Sequence, residues 1–360
     1  MIEPRPHLKF VQRAVNDEPS RMFKKRLDRN ERNQFFPEDF VERVRRKITG
    51  ELFMVYPEPD PIYEKTAQWL GILKNQIMLH SGSDQAIKAV FETYIDPGEK
   101  ILLHFPGYAM YDVYAKMFQA QVIAQHYHSD LAFDWDQYIS RIKPGVRMVV
   151  VENPNGFLGV MIPLSKLHEL VVRAKECNTL VLVDEAYFHF HEDTVLPWIA
   201  RYDHVIISRT FSKAFGLAGL RAGYLISQER NIEFLKKVRP VYEITAVTAL
   251  VLNELLNAPE ECLSYVRDTR RNREWLCRQL DQLGIPYSHS RANFLAIRLG
   301  DPRIHDGLRI ALAKQDILIR RPFREEQLKE WVRISTAPPG VQEILISELK
   351  KLLQPHGRLV

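Results

Sequence analysis

Cysteine is scarce in this 360-residue chain: Cys177, Cys262 and Cys277 are odd in number and far apart. That excludes a disulfide framework and a thiolate metal site, and it makes buried free thiols in a reducing cytoplasm the expectation. An excess of one charge is also missing. Fifty basic residues face 45 acidic ones, and the resulting +5 is spread along the chain. Such a balance leaves no footprint for nucleic acid, yet it does not repel a phosphorylated small molecule. No apolar run approaches bilayer length, and the opening Met1-Ile2-Glu3-Pro4-Arg5-Pro6-His7 has no apolar signal core, so neither membrane nor export is expected. Repeats, low-complexity tracts and flexible linkers are absent. Among the twelve histidines, His189 and His191 form a close pair that reads as a half-exposed edge after a strand; no metal is expected.

What is present is ordinary soluble-protein material, 46% hydrophobic and 26% charged, in a length that suits two domains better than one. Short β-branched runs at 77–80, 100–104, 121–127, 147–152, 180–185, 204–208 and 222–226 alternate with amphipathic stretches such as 84–95, 108–118 and 164–177. This alternation predicts an α/β fold with a mostly parallel sheet, and the nearly continuous apolar strands predict cover on both faces. Beyond residue 228 the pattern turns helical, at 231–238 and from 245 to 283. A smaller α/β unit follows, with strands at 294–298, 317–320 and 331–335 and a helix at 341–353, while the first thirty residues read as a polar arm.

Ligands in such sheets bind beyond the carboxyl ends of the strands. Four predicted strand ends carry chemistry there: Gly82-Ser83-Asp84, the 153–156 segment, Asp184 and Lys213. Lys213 follows the apolar run Val205-Ile206-Ile207, with Ser212 before it and Arg221 beyond a glycine-bearing spacer. A lysine in a dry site loses its proton and condenses with an aldehyde. A serine hydroxyl and a guanidinium suit a phosphate. Pyridoxal 5′-phosphate carries both groups.

The 208–224 segment resembles the cofactor-lysine segment of fold-type I pyridoxal-phosphate aminotransferases (class I/II), most closely that of the histidinol-phosphate aminotransferase family, and the resemblance covers almost the whole chain. It implies a large cofactor domain on a mostly parallel seven-stranded sheet, at 47–245, and a small α/β domain at 246–360, with residues 1–46 forming an N-terminal arm and part of that small domain. It implies Lys213 as the residue that holds the cofactor and moves protons, Asp184 against the pyridine nitrogen, and Tyr187 on the neighbouring ring oxygen. Gly82, Ser83, the Asp84 amide, Ser212 and Arg221 would form a phosphate cup. Pro106-Gly107-Tyr108-Ala109-Met110-Tyr111 resembles the segment whose first tyrosine, here Tyr108, packs on the ring. Tyr56-Pro57-Glu58-Pro59 resembles the segment whose tyrosine reaches the neighbouring subunit's phosphate, which implies a homodimer with shared active sites. Arg333, in Arg333-Ile334-Ser335, matches a carboxylate-binding arginine, Arg320 a second anion-binding one, and Asn30, in Leu27-Asp28-Arg29-Asn30-Glu31, an arm over the substrate.

Two stretches depart from the family. Asn153-Pro154-Asn155-Gly156-Phe157-Leu158-Gly159 stands where Asn-Pro-Asn-Asn-Pro-Thr-Gly is usual, so Gly156 replaces the asparagine that meets the ring oxygen, and Asn155 is the nearest substitute. Val241-Tyr242-Glu243-Ile244 replaces a polar stretch. The reading is an aminotransferase acting between an amino acid, with glutamate as donor, and a phosphorylated or anionic ketone. The same motifs also resemble threonine-phosphate-type decarboxylases. Ligand sensing without catalysis is set aside, because regulators of that kind append a DNA-binding module and these residues hold none.

Overall fold

The computed structural model describes residues 2–12, 21–323 and 325–353, and the side chain of Cys262 lies outside the described set. From the N-terminal side the chain forms β1 (Lys25–Leu27), α1 (Glu38–Lys47), α2 (Asp60–Leu70), β2 (Ile77–His80), α3 (Gly82–Tyr94), β3 (Lys100–Phe105), α4 (Met110–Met117) and β4 (Gln121–His126). There follow α5 (Trp135–Ser140), β5 (Val146–Glu152), α6 (Leu164–Glu176), β6 (Leu180–Asp184), β7 (Val205–Thr210), β8 (Gly223–Ile226) and α7 (Glu229–Lys236). The last third holds α8 (Ala246–Asn257), α9 (Glu260–Gln282), β9 (Phe294–Arg298), α10 (Pro302–Ala313), β10 (Ile317–Ile319), β11 (Trp331–Ser335) and α11 (Pro339–Leu353).

Seven strands make one sheet in the order β2-β8-β7-β6-β5-β3-β4, parallel except for β8, which runs against both β2 and β7. Successive residues of a strand point to opposite faces, and the sheet's apolar runs feed a core on each side. Val149, Val151, Val181, Val183 and Ile207 join one core, while Met148, Val150, Leu182 and Ile206 join the other. Each such side chain taken from water contributes about 1.5–3 kcal/mol. β4, at the edge, is exposed or half-buried at every residue but Gln125, as a strand with one unpaired side allows. A separate core gathers Leu27, Leu276, Leu280, Leu308, Val332 and Leu349 around the antiparallel pair β9–β11 and the parallel pair β1–β10.

Three expectations change. The N-terminal arm contains a strand: Lys25–Leu27 pairs with β10, and a single buried leucine in three residues is too short a pattern to announce it. The predicted helix from 245 to 283 is two helices, parted at Ala258 and Pro259, because proline cannot donate to a continuing helix. We place the boundary of the large unit after α8 rather than at 245, because Val251, Leu252 and Leu255 pack into the same core as Ile62, Tyr63 and Phe40.

Candidate active site

The carboxyl edge of the large sheet collects the charged residues. Asp184 closes β6, Glu152 closes β5, Lys213 follows β7, Gly82 follows β2, and Arg221 precedes β8, which starts at this edge because it runs the other way.

Lys213 Nζ donates to the carbonyl of Arg29 at 3.0 Å and stands 5.7 Å from the Tyr187 ring. Burial pulls its amine down from 10.5 to about 7, helped by the cations Arg333 and Arg221 and opposed by Glu31 and Asp184. An amine in that state is a nucleophile and a proton carrier near neutral pH. Asp184 is buried; its Oδ2 accepts the Tyr111 hydroxyl at 2.8 Å and its Oδ1 the Ala186 amide at 3.0 Å. Burial lifts it to about 6 against those two bonds. Neutral donors alone stabilise this carboxylate modestly, so a ligand that brings a positive charge suits it. The Tyr187 hydroxyl accepts from Asn30 Nδ2 at 2.8 Å, and Asn30 Oδ1 accepts from Ser335 Oγ at 2.9 Å. Asn30 has φ 58°, a left-handed conformation that Ser335 and Asn293 hold by bonds to its backbone.

A second group of residues surrounds the start of α3. That helix has no side-chain cap, so its first amides are open to an acceptor. A Cβ at Gly82 (φ 82°) would lie 2.6 Å from Arg221 Nη2, and one at Gly223 would lie 2.5 Å from the Ser83 amide nitrogen. Only glycine permits this approach of guanidinium and strand to the helix start. Ser212, beside the Phe211–Ala222 backbone bond, has a buried hydroxyl without a protein partner. The Asp84 carboxylate accepts the Tyr114 hydroxyl at 2.8 Å. An orphaned hydroxyl, an uncapped helix start and a guanidinium fit a phosphate monoester.

On the opposite side, Arg333 is buried and donates to the carbonyls of Gly156 (2.7 Å) and Asp28 (3.2 Å). Its Nε has no partner, and its guanidinium lies 5.1 Å from the Phe157 ring. Arg320 stacks on the same ring at 4.9 Å. Burial and the neighbouring Arg320 lower Arg333 to about 10. Two guanidiniums over one aromatic ring form a site for anions. Tyr108 is partly exposed, with its ring edge-on to Tyr111 at 6.2 Å.

The structure therefore gathers Lys213, Asp184, Tyr187, Asn30 and Arg333 in one place, with Ser83, Ser212 and Arg221 around the start of α3. Two expected residues stand apart. Asn155 does not replace the missing asparagine: its Nδ2 donates to the Pro106 carbonyl at 2.8 Å and its Oδ1 accepts the amides of Phe157 and Leu158. Fully buried, it shapes the loop with its oxygen and with one of its two Nδ2 hydrogens. Tyr56 is 74% exposed and stacks on Tyr242, with ring centroids 4.3 Å apart, so within one chain it makes no bond to the phosphate residues. Sequence reasoning missed Glu152, whose carboxyl lies between Tyr108 and Gly156; an acid ending an apolar strand beside an unexpected glycine was the available signal. Among the described residues no cluster of His, Cys, Asp and Glu could hold a metal ion.

Comparisons with known proteins bear on the family and the fold. The family model for aminotransferase class I and II matches residues 26–348. The histidinol-phosphate aminotransferase of Thermoanaerobacter sp. (strain X514) is 29% identical over 337 residues, 92% of this chain and 93% of the relative. In structure, the Sinorhizobium meliloti histidinol-phosphate aminotransferase in complex with pyridoxal-5′-phosphate superimposes with a TM-score of 0.82 at 21% identity, covering 99% of this chain and 96% of that one. The L-threonine-O-3-phosphate decarboxylase of Porphyromonas gingivalis reaches 0.78 at 18% identity, over 91% and 99% of the two chains, and shares the fold. This chain belongs to the aminotransferase class I and II family and is a pyridoxal-phosphate-dependent aminotransferase.

Proposed function

We propose that the enzyme moves an amino group between glutamate and a small phosphorylated ketone. The observation that carries this reading is one site holding a desolvated amine at Lys213, a buried carboxylate at Asp184 and two guanidiniums at Arg333 and Arg320. Relatives named for histidinol phosphate suit the paired guanidiniums, since carboxylate and phosphate monoester both seek bidentate donors.

When bound, pyridoxal phosphate supplies an aldehyde for the amino group and a protonated ring that draws electrons from the substrate Cα. Ser212, Arg221 and the first amides of α3 (Gly82, Ser83, Asp84) would hold its phosphate. Asp184 would keep the ring nitrogen protonated, Tyr187 would meet the ring oxygen, and Tyr108 would cover the ring face. Lys213 Nζ, able to stand unprotonated near neutral pH, would take the proton from Cα and return it. Arg333 would orient the substrate carboxylate, Arg320 its second anion, and Asn30 would fix Tyr187 from the arm.

The homodimer belongs to this proposal. Phe53, Met54, Val55, Tyr56, Val241 and Tyr242 are exposed apolar side chains joined through the Tyr56–Tyr242 stack, a surface that a second copy would cover. A shared site would then bring Tyr56 to the partner's phosphate. Among the described residues no helix is long and apolar enough to cross a membrane, and Cys177 and Cys277 are free, which supports a reducing cytoplasmic setting.

The test is a panel of amino acids mixed with the purified yellow protein. Glutamate should bleach the cofactor absorbance, and a phosphorylated ketone should restore it. Release of carbon dioxide from a phosphorylated amino acid, with no amino transfer, would overturn the reading in favour of decarboxylation.

A further inference from the structure

Glu152 is a buried acid to which the proposed chemistry gives no task. It ends β5 after the buried apolar run 148–151, and its own backbone N–H donates to His104 Nε2 at 3.1 Å. Its carboxyl is seated between two loops. Oε1 accepts the amide of Tyr108 at 2.6 Å, and Oε2 accepts the amide of Gly156 at 2.8 Å. The carbonyl of that same Gly156 accepts from Arg333 Nη1 at 2.7 Å. One carboxyl thus connects the Tyr108 loop to the loop that holds Arg333.

Both loops carry glycine where the carboxyl passes. A Cβ at Gly107 would collide with Oε1, and a Cβ at Gly156 would lie 2.7 Å from Oε2 and 3.9 Å from the Tyr187 ring. The volume a side chain at 156 would enter is therefore filled from 152. Burial pushes the acid up to about 8, as does Asp184, while the two amides and Arg333 work against that shift. Burying an acid costs free energy that its bonds must offset, and here the amides of Tyr108 and Gly156 do so.

We infer that Glu152 is a positioning residue of the active site, whose carboxyl takes the place of a side chain at 156 and fixes the Tyr108 loop against the loop that holds Arg333. The inference rests on the proposed roles of Tyr108 and Arg333. Glu152 acts through them, on cofactor affinity and on the KM of the amino-acid substrate more than on kcat. Glutamine keeps the volume but offers one acceptor oxygen, so one of the two amides loses its bond.

The experiment is a double-mutant cycle read by the dissociation constant of pyridoxal phosphate from reloaded cofactor-free protein, with KM and kcat alongside. Glu152→Gln should raise the dissociation constant and KM about tenfold, the scale of one unpaired buried N–H. Gly156→Asn alone should displace the carboxyl and weaken cofactor binding by about tenfold or more. In the Glu152→Ala background the same Gly156→Asn change should cost roughly twofold or less, because the obstructing oxygen is gone. Equal costs of Gly156→Asn in both backgrounds, or a Glu152→Gln protein with unchanged dissociation constant and KM, would overturn the inference. Borohydride reduction of each variant separates the two levels: an adduct on Lys213 with no coupling defeats the Glu152 inference alone, whereas no adduct on Lys213 in the unaltered protein defeats the site reading beneath it.

Discussion

At Gly82 and Gly223 the chain makes room for a guanidinium and a backbone amide; at Gly107 and Gly156 it makes room for an acid. At the first pair the Arg221 guanidinium packs against Gly82 and the Ser83 amide against Gly223, and the Ser212 hydroxyl has no protein partner. In the proposed function its bonding capacity is kept for a ligand. The second pair admits the Glu152 carboxyl, whose two oxygens are both bonded by the chain's own amides. Its bonding capacity is spent inward, on holding loops. On the proposed reading, close packing around glycine serves binding at one end of the site and alignment at the other.

The largest effect should come from Lys213. Lys213→Ala should lower turnover by roughly 10²–10⁴-fold for proton transfer alone, measured as kcat in a coupled glutamate assay, without loss of the folded state. Equal activity would remove Lys213 from the chemistry.

The two ends should then separate. Arg221→Ala should raise the cofactor dissociation constant by about a hundredfold, the scale of a charge-assisted bond to phosphate, and should weaken competition by inorganic phosphate in parallel. Gly107→Ala, which drives a methyl into Glu152 and against the His104 carbonyl, should lower the melting temperature by several degrees, roughly 1–3 kcal/mol, while inorganic phosphate competes as before. If both variants changed phosphate competition alike, the contrast between the ends would fail.

How much of this was legible in the sequence follows the same division. Ser212, Lys213 and Arg221 lie within ten residues of each other on one strand–turn–strand unit, and Gly82 to Asp84 open a single helix, so local spacing announced them. Asp184 ended an apolar strand and was legible for the same reason. The acid end is built from β5, the loop after β3 and the loop after β5, and no local pattern links Glu152 to Tyr108, 44 positions away. Asn155 was misassigned because its loop closes on itself: its side-chain oxygen accepts the amides that the turn leaves open, a demand visible only once the turn exists. The seven strands were legible from short apolar runs, buried on both faces in all but the edge strand β4, whereas β1, three residues long and dependent on β10, was not.

A smaller effect concerns pH. Lys213 is depressed from 10.5 to about 7, so between those values the unfolded chain binds a proton that the cofactor-free folded chain does not. Stability should therefore rise with pH across that window and be lost as pH falls through about 7. Urea midpoints of cofactor-free protein at a series of pH values would measure this slope. Lys213→Ala should flatten it, and an unchanged slope would show that the amine is not desolvated.

The central claim is that pyridoxal phosphate bonds to Lys213. Borohydride reduction of the purified holoenzyme, followed by proteolysis and mass mapping, tests it directly. The account predicts one phosphopyridoxyl group per chain, on the peptide containing Ser212-Lys213-Ala214. The modification on any other lysine, or intact cofactor released without modification, would contradict it.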